Sequence, residues 1–189
     1  MDTEGNLLSN RDLLRYGLWG VMAATAEANR RHYHMPTTWL PHLLTNTLSL
    51  LLPDALRLLF GRRRPRNAVE AVMFRMARDN DDYVVYVAPL AAGYILSHPR
   101  FNIYKGDWAE LRLAGFGLDS IPHTATAMAL SALVQDSLQV VADVDDNTIF
   151  SRVLDTAARH SALASLGVLG ALTFIWEYGE YRIHVAESD

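Results

Sequence analysis

The chain has 189 residues, of which half are hydrophobic and a fifth charged, with a net charge of −4 and a mean hydropathy of +0.04. This length suits one domain with its own core, read here as a single helical membrane domain over residues 1–189. The negative balance argues against nucleic acid as a partner, and the absence of Cys excludes disulfides, thiolate nucleophiles and Cys-ligated metals.

Met1-Asp2-Thr3-Glu4-Gly5 is acidic and polar, so no cleavable secretory signal is expected there. The first helical pattern covers residues 10–31, with Asn10 as its expected N-cap and Arg30-Arg31 at its end. Its uncharged centre, residues 16–26, is shorter than the ~20 apolar residues that a span needs. A short tilted or amphipathic surface helix is expected, with Glu27 solvated or paired with Arg30 or Arg31. His32 and His34 lie two residues apart, do not share a helical face, and are read as interfacial.

Residues 32–53 carry no formal charge, and residues 39–52 form the first credible span. Pro36 and Pro41 lie near its start, and Pro53 ends or kinks it. Thr45, Asn46, Thr47 and Ser49 are suited to hydrogen bonds between helices, and Asp54, Arg57 and Phe60 read as an interfacial turn. His42 is the one candidate cofactor ligand, for haem or a chlorophyll-type pigment; the alternative is a hydrogen bond to a neighbouring helix. The run Arg62-Arg63-Arg64-Pro65-Arg66 follows, and the positive-inside tendency places it on the cytoplasmic side against lipid head groups.

Residues 67–82 read as a short amphipathic connector, and the uncharged residues 83–99 as another span with Tyr83, Tyr86 and Tyr94 as interfacial or bundle contacts. A glycine-punctuated loop over 100–118 leads to a helix capped by Asp119, with Pro122 in its first turn and Gln135, Asp136 and Gln139 at its far end. The acidic run Asp143-Val144-Asp145-Asp146-Asn147 lacks the glycine and terminal Glu of a calcium loop and reads as a solvated linker. A connector helix with Arg152, Asp155 and Arg159 precedes the last uncharged run, residues 160–176, in which Gly167 and Ala171 offer a small-residue packing face.

That run is expected to end in Trp176-Glu177-Tyr178-Gly179-Glu180-Tyr181-Arg182-Ile183-His184. On a helix, Glu177, Glu180 and His184 lie within about 60° of one another. Asp119 and His123, at i and i+4, share a face of the preceding long helix. The metal-ligand set is therefore Asp119, His123, Glu177, Glu180 and His184, a donor set suited to a divalent metal: Zn, Mn, Fe or Ni. Its spacing is neither the Glu-x-x-His of di-iron bundles nor the His-Glu-x-x-His of zinc peptidases. The alternative is a structural polar cluster, with Asp119 capping and Glu180 pairing with Arg182 or Arg112.

The order of these features resembles the DUF2238, or YjdF-like, group of small bacterial inner-membrane proteins, over roughly residues 40–182. The likeness rests on Leu50-Leu51-Leu52-Pro53 before the arginine run, on the Asp-x-x-x-His of Asp119 and His123, and on Trp176-Glu177-Tyr178-Gly179-Glu180. The chain departs from the group in having Gln135-Asp136 where an Arg-Glu pair is usual, and in lacking the Asp-rich segment and further helix after the Glu motif. The resemblance implies a polytopic membrane fold and brings no established reaction.

Together the expectation is all-α: a polytopic helical membrane bundle of about four spans, plus the N-terminal short or amphipathic helix. The leading functional expectation is an accessory or scaffold subunit in the bacterial inner membrane, in contact with the lipid bilayer and other membrane subunits. One alternative is a membrane-embedded metal-dependent enzyme or transporter; the other is a soluble all-α binding domain with an apolar pocket.

Overall fold

The computed structural model describes residues 9–33, 39–144 and 148–188. His34, Pro36 and Asp145 to Asn147 lie outside the described residues, as does the N-terminal segment before Ser9. Of Glu180 and His184 only the helical backbone is described.

The described chain is mostly helical, as expected. It consists of α1 (Asn10–Tyr33), α2 (Trp39–Phe60), α3 (Ala68–Met73) running into a π turn (Phe74–Arg78), α4 (Tyr83–Ile95), the single turn α5 (Asp107–Glu110), α6 (Ser120–Leu138) with a 3-10 extension (Gln139–Asp143), α7 (Ile149–Arg159) and α8 (Ser161–Ser188). The only strands among the described residues, β1 (Arg112–Leu113) and β2 (Phe116–Gly117), pair antiparallel as a minimal hairpin. Gly115 takes φ +88° at its tip, a conformation costly for any residue with a Cβ.

Several local expectations change. The cap of α1 is Ser9, not Asn10: its hydroxyl accepts from the Asp12 amide at 3.1 Å and donates to the Asp12 carboxylate at 2.9 Å. The hydroxyl thus caps the amide of the third helical position while the Asp12 carboxylate holds the hydroxyl. Pro53 neither ends α2 nor leaves Asp54, Arg57 and Phe60 in a turn, because the helix continues through all three. The expected span at 83–99 is the 13-residue α4, about 20 Å long against ~30 Å of hydrocarbon. The apolar run of α8 ends at Trp176, and the helix continues through the carboxylates to Ser188, as the placing of Glu177, Glu180 and His184 on one helix expects. Gly167 and Ala171 are exposed, with nothing within 4 Å of a Cβ built at Gly167, so the expected packing face is uncovered within this chain.

Three helical segments among the described residues are long and apolar enough to cross a membrane: His42–Phe60, Ser120–Asp143 and Ser161–Gly179. The first two are 22% buried and the third only 6%.

The chain forms two compact units interleaved in sequence. The first comprises residues 1–52 and 81–126. Its core joins Met22 and Ala26 of α1 to Leu50 of α2 and to Val84, Val87 and Ala91 of α4. The second comprises residues 53–80 and 127–189, with Leu56, Ala71, Phe74, Ala77, Leu133 and Val141 buried.

Candidate functional site

Proline inside a helix removes one backbone donor, so the carbonyl four residues earlier must find another partner. For Pro53 that carbonyl belongs to Ser49, and the Tyr83 hydroxyl of α4 donates to it at 2.6 Å. The adjacent Leu50 carbonyl accepts from Arg15 Nη1 at 2.8 Å. Arg15, on α1, is 2% exposed, and its other guanidinium nitrogen holds Asp12 at 2.8 Å. A buried charge is tolerated only when its donors are used and a counter-charge is near, and both conditions hold. The proline therefore frees one acceptor that ties α4 to α2, and Arg15 separately ties α1 to the next carbonyl of α2.

Other polar groups within the first unit serve the same end. Trp19 Nε1 donates to Thr47 at 3.3 Å, fulfilling the expected interhelical role for Thr47 alone. Asn46 and Ser49 instead donate to the carbonyls of His42 and Thr45 in their own helix. Their short side chains reach the preceding turn more readily than a neighbouring helix. Glu27 pairs with both Arg30 and Arg31, as expected.

Asp119 immediately precedes α6, and Pro122 lies in the first turn. The Asp119 carboxylate packs over Gly117 of β2 so closely that a Cβ there would overlap it. The His123 amide bonds back to the Asp119 carbonyl at 3.4 Å, and its exposed ring meets the Tyr104 ring edge at 6.0 Å between centroids. Tyr104 in turn donates to the Gly93 carbonyl at 3.2 Å. Burial, with the nearby Asp119 charge adding to it, pushes the Tyr104 hydroxyl up to about 12, so it remains a donor at neutral pH. Gly93 is required for this approach: a Cβ would stand 3.3 Å from both Pro122 Cβ and the Tyr104 hydroxyl.

In the second unit, the arginine run is a built loop. Asn67 caps α3 through the Glu70 amide, and Glu70 then accepts both terminal nitrogens of Arg63 at 2.7 Å and the Arg66 amide at 2.8 Å. Those cationic and amide donors hold the Glu70 carboxyl down at about 2. Below the loop, the π turn brings the buried Arg78 over the Phe74 ring at 3.5 Å, where Nη1 caps the Arg63 carbonyl at 2.8 Å and the Gly61 carbonyl at 3.3 Å. Arg75 pairs with Asp136 of α6 at 3.0 Å. Ser131, Gln135 and Ser165 form a polar seam joining α6 to α8, with the two hydroxyls 2.9 Å apart. The seam opens on a groove of about 570 Å³ lined by Met128, Gln139, Leu166 and Leu169 among others.

Of the residues singled out for chemistry, Asp119 lies in the turn just before α6 and His123 in the first turn of that helix. Glu177 is exposed on α8, where Glu180 and His184 continue the same helix. Among the described residues no group of three or more His, Asp or Glu could hold a metal ion. His42 is half-buried on α2. Of the residues that organise polar structure here, Arg15, Glu70 and Arg78 were not singled out, whereas Tyr83 was expected as an interfacial or bundle contact and is a bundle contact. A signal for the Tyr83 contact was legible: a proline within a long apolar helix leaves the carbonyl four residues earlier in need of an outside donor.

In comparisons with known proteins, no family model matches the chain, and no curated protein or solved structure matches it.

Proposed function

We propose that this chain is an integral membrane protein whose α2, α6 and α8 cross the bilayer, acting as an accessory or scaffold subunit for other membrane proteins. One observation carries the reading: the Ser161–Gly179 segment of α8 carries a single charge, Glu177, and is only 6% buried, which in water would expose Leu163, Leu166, Leu172, Phe174 and Ile175 together. Apolar side chains exposed on all sides of one helix require lipid or protein cover. The reverse side of the pattern agrees with it. Asn46, Ser137 and Ser165 are buried while apolar side chains face outward, the distribution that a hydrocarbon solvent favours.

In this reading α1 is an amphipathic helix, α4 is a bundle helix too short to span, and the arginine loop faces the cytoplasm of a bacterial cell. The partners are the bilayer and neighbouring subunits, not nucleic acid. The order of motifs shared with the YjdF-like group supports the same assignment.

Fractionation of cells without detergent tests the reading. The full chain should sediment with membranes, resist carbonate extraction and dissolve only in detergent; quantitative recovery in the soluble fraction would replace it with a soluble all-α binding domain. Stoichiometric metal in the purified protein, lost in Glu177→Ala, would replace the scaffold role with metal-dependent chemistry.

A further inference from the structure

Four arginines stand in the loop after α2, and they do not share one role. Arg63 is consumed: it forks onto Glu70 and lies over the Phe60 and Phe74 rings, with its guanidinium carbon 5.0 and 5.6 Å from their centres. Arg62, Arg64 and Arg66 are exposed, and among the described residues no carboxylate pairs with them. The backbone that carries them is held from beneath at Gly61, Arg63 and Arg66, by Arg78 and Glu70. Positions 62, 64 and 66 are exposed while Arg63 is half-buried against Glu70 and the two rings. Glu70 and Arg78 therefore keep Arg63 inward and its three neighbours outward.

The surroundings identify the partner. Leu58 and Leu59, one turn before the loop, are 86% and 73% exposed, so apolar and cationic groups are presented side by side. Free phosphate or nucleic acid would meet the arginines but has no use for the leucines. A lipid matches both, with acyl chains along the end of α2 and a phosphate diester against the guanidinium fork.

We propose that Arg62, Arg64 and Arg66 form a preordered binding site for the phosphate of anionic lipid head groups. The site rests on the membrane reading above and adds to it a selectivity: anionic over zwitterionic lipid. Near a membrane surface each arginine contributes enough that losing three weakens binding on the order of 100-fold.

The full chain in dodecylmaltoside micelles is titrated with dioleoylphosphatidylglycerol or dioleoylphosphatidylcholine, and lipid occupancy is read by native mass spectrometry. The wild type should prefer the glycerol lipid. The triple variant Arg62→Gln, Arg64→Gln, Arg66→Gln should bind both lipids alike, while the charge-matched control Arg100→Gln, Arg152→Gln, Arg182→Gln keeps the preference. An unchanged preference in the triple variant, or equal loss in the control, overturns the site. Competition by millimolar inorganic phosphate overturns the lipid as its ligand. Carbonate-resistant sedimentation is scored on the same variants: all of them sedimenting while lipid preference is unaffected by the loop defeats only the site, whereas soluble wild type defeats the membrane reading itself.

Discussion

The Tyr83 hydroxyl donates at 2.6 Å to the Ser49 carbonyl, the acceptor that Pro53 leaves without its helical donor. The bond explains how a proline is retained inside a long apolar helix, where an interior proline costs about 3 kcal/mol or more if uncompensated. Part of that cost is offset by a donor on α4.

Tyr83→Phe should destabilise the protein by about 1–3 kcal/mol, the cost of an orphaned buried carbonyl. In a Pro53→Ala background the restored amide serves Ser49, so the same substitution should cost less than half as much. Thermal midpoints of the four proteins in detergent provide the cycle. Equal costs in both backgrounds would refute the link between proline and tyrosine.

Arg15→Ala should be more damaging, about 3–5 kcal/mol, because it removes one partner of a largely buried ion pair and strips the Leu50 carbonyl of its donor. Arg15→Met with Asp12→Asn should recover part of the loss by filling the same volume without charge. A mild effect in Arg15→Ala, measured by the same melts, would show that the pair contributes little.

Glu70 predicts the acid response of the arginine loop. Its carboxyl is lowered from 4.5 to about 2 when folded, so its contribution is fully present above pH 4.5 and is lost as pH falls toward 2. Glu70→Gln should reduce stability at neutral pH and flatten the dependence between those limits. Melts at a series of pH values check this; an unaltered slope in the variant would exclude Glu70 as the source.

Leu172 sits half-exposed near the middle of the apolar part of α8. Leu172→Arg should reduce membrane integration of that segment, since an arginine at the centre of a span costs about 2.5–3.5 kcal/mol on insertion scales. Glycosylation-site mapping of α8 reports insertion. A variant inserted as efficiently as the wild type would contradict α8 as a span.

Much of the helical pattern was legible in local sequence. The long apolar runs mark α2, α6 and α8, Asp119 and Pro122 mark the start of α6, and Glu27 lies one turn before its two arginines. Each of these depends on neighbours within a turn or on composition within a run. Helix ends were less legible. Ser9 took the cap because its hydroxyl pairs with Asp12, and α2 ran past Pro53 because distant donors relieved the break.

The candidate site divides in the same way. The sequence by itself determined that cations cluster after α2 and that Asp119 and Pro122 mark the start of α6, since both follow from local pattern alone. Only the tertiary structure decided which of those groups are spent and which are presented. Arg63 turns inward to Glu70 seven positions away, Arg78 caps the loop from 15 and 17 positions away, and Arg15 and Tyr83 reach α2 across separations of 35 and 34 residues. Hydrogen bonds of that kind are fixed by which helices pack together, and packing is set by the whole chain rather than by any stretch of it.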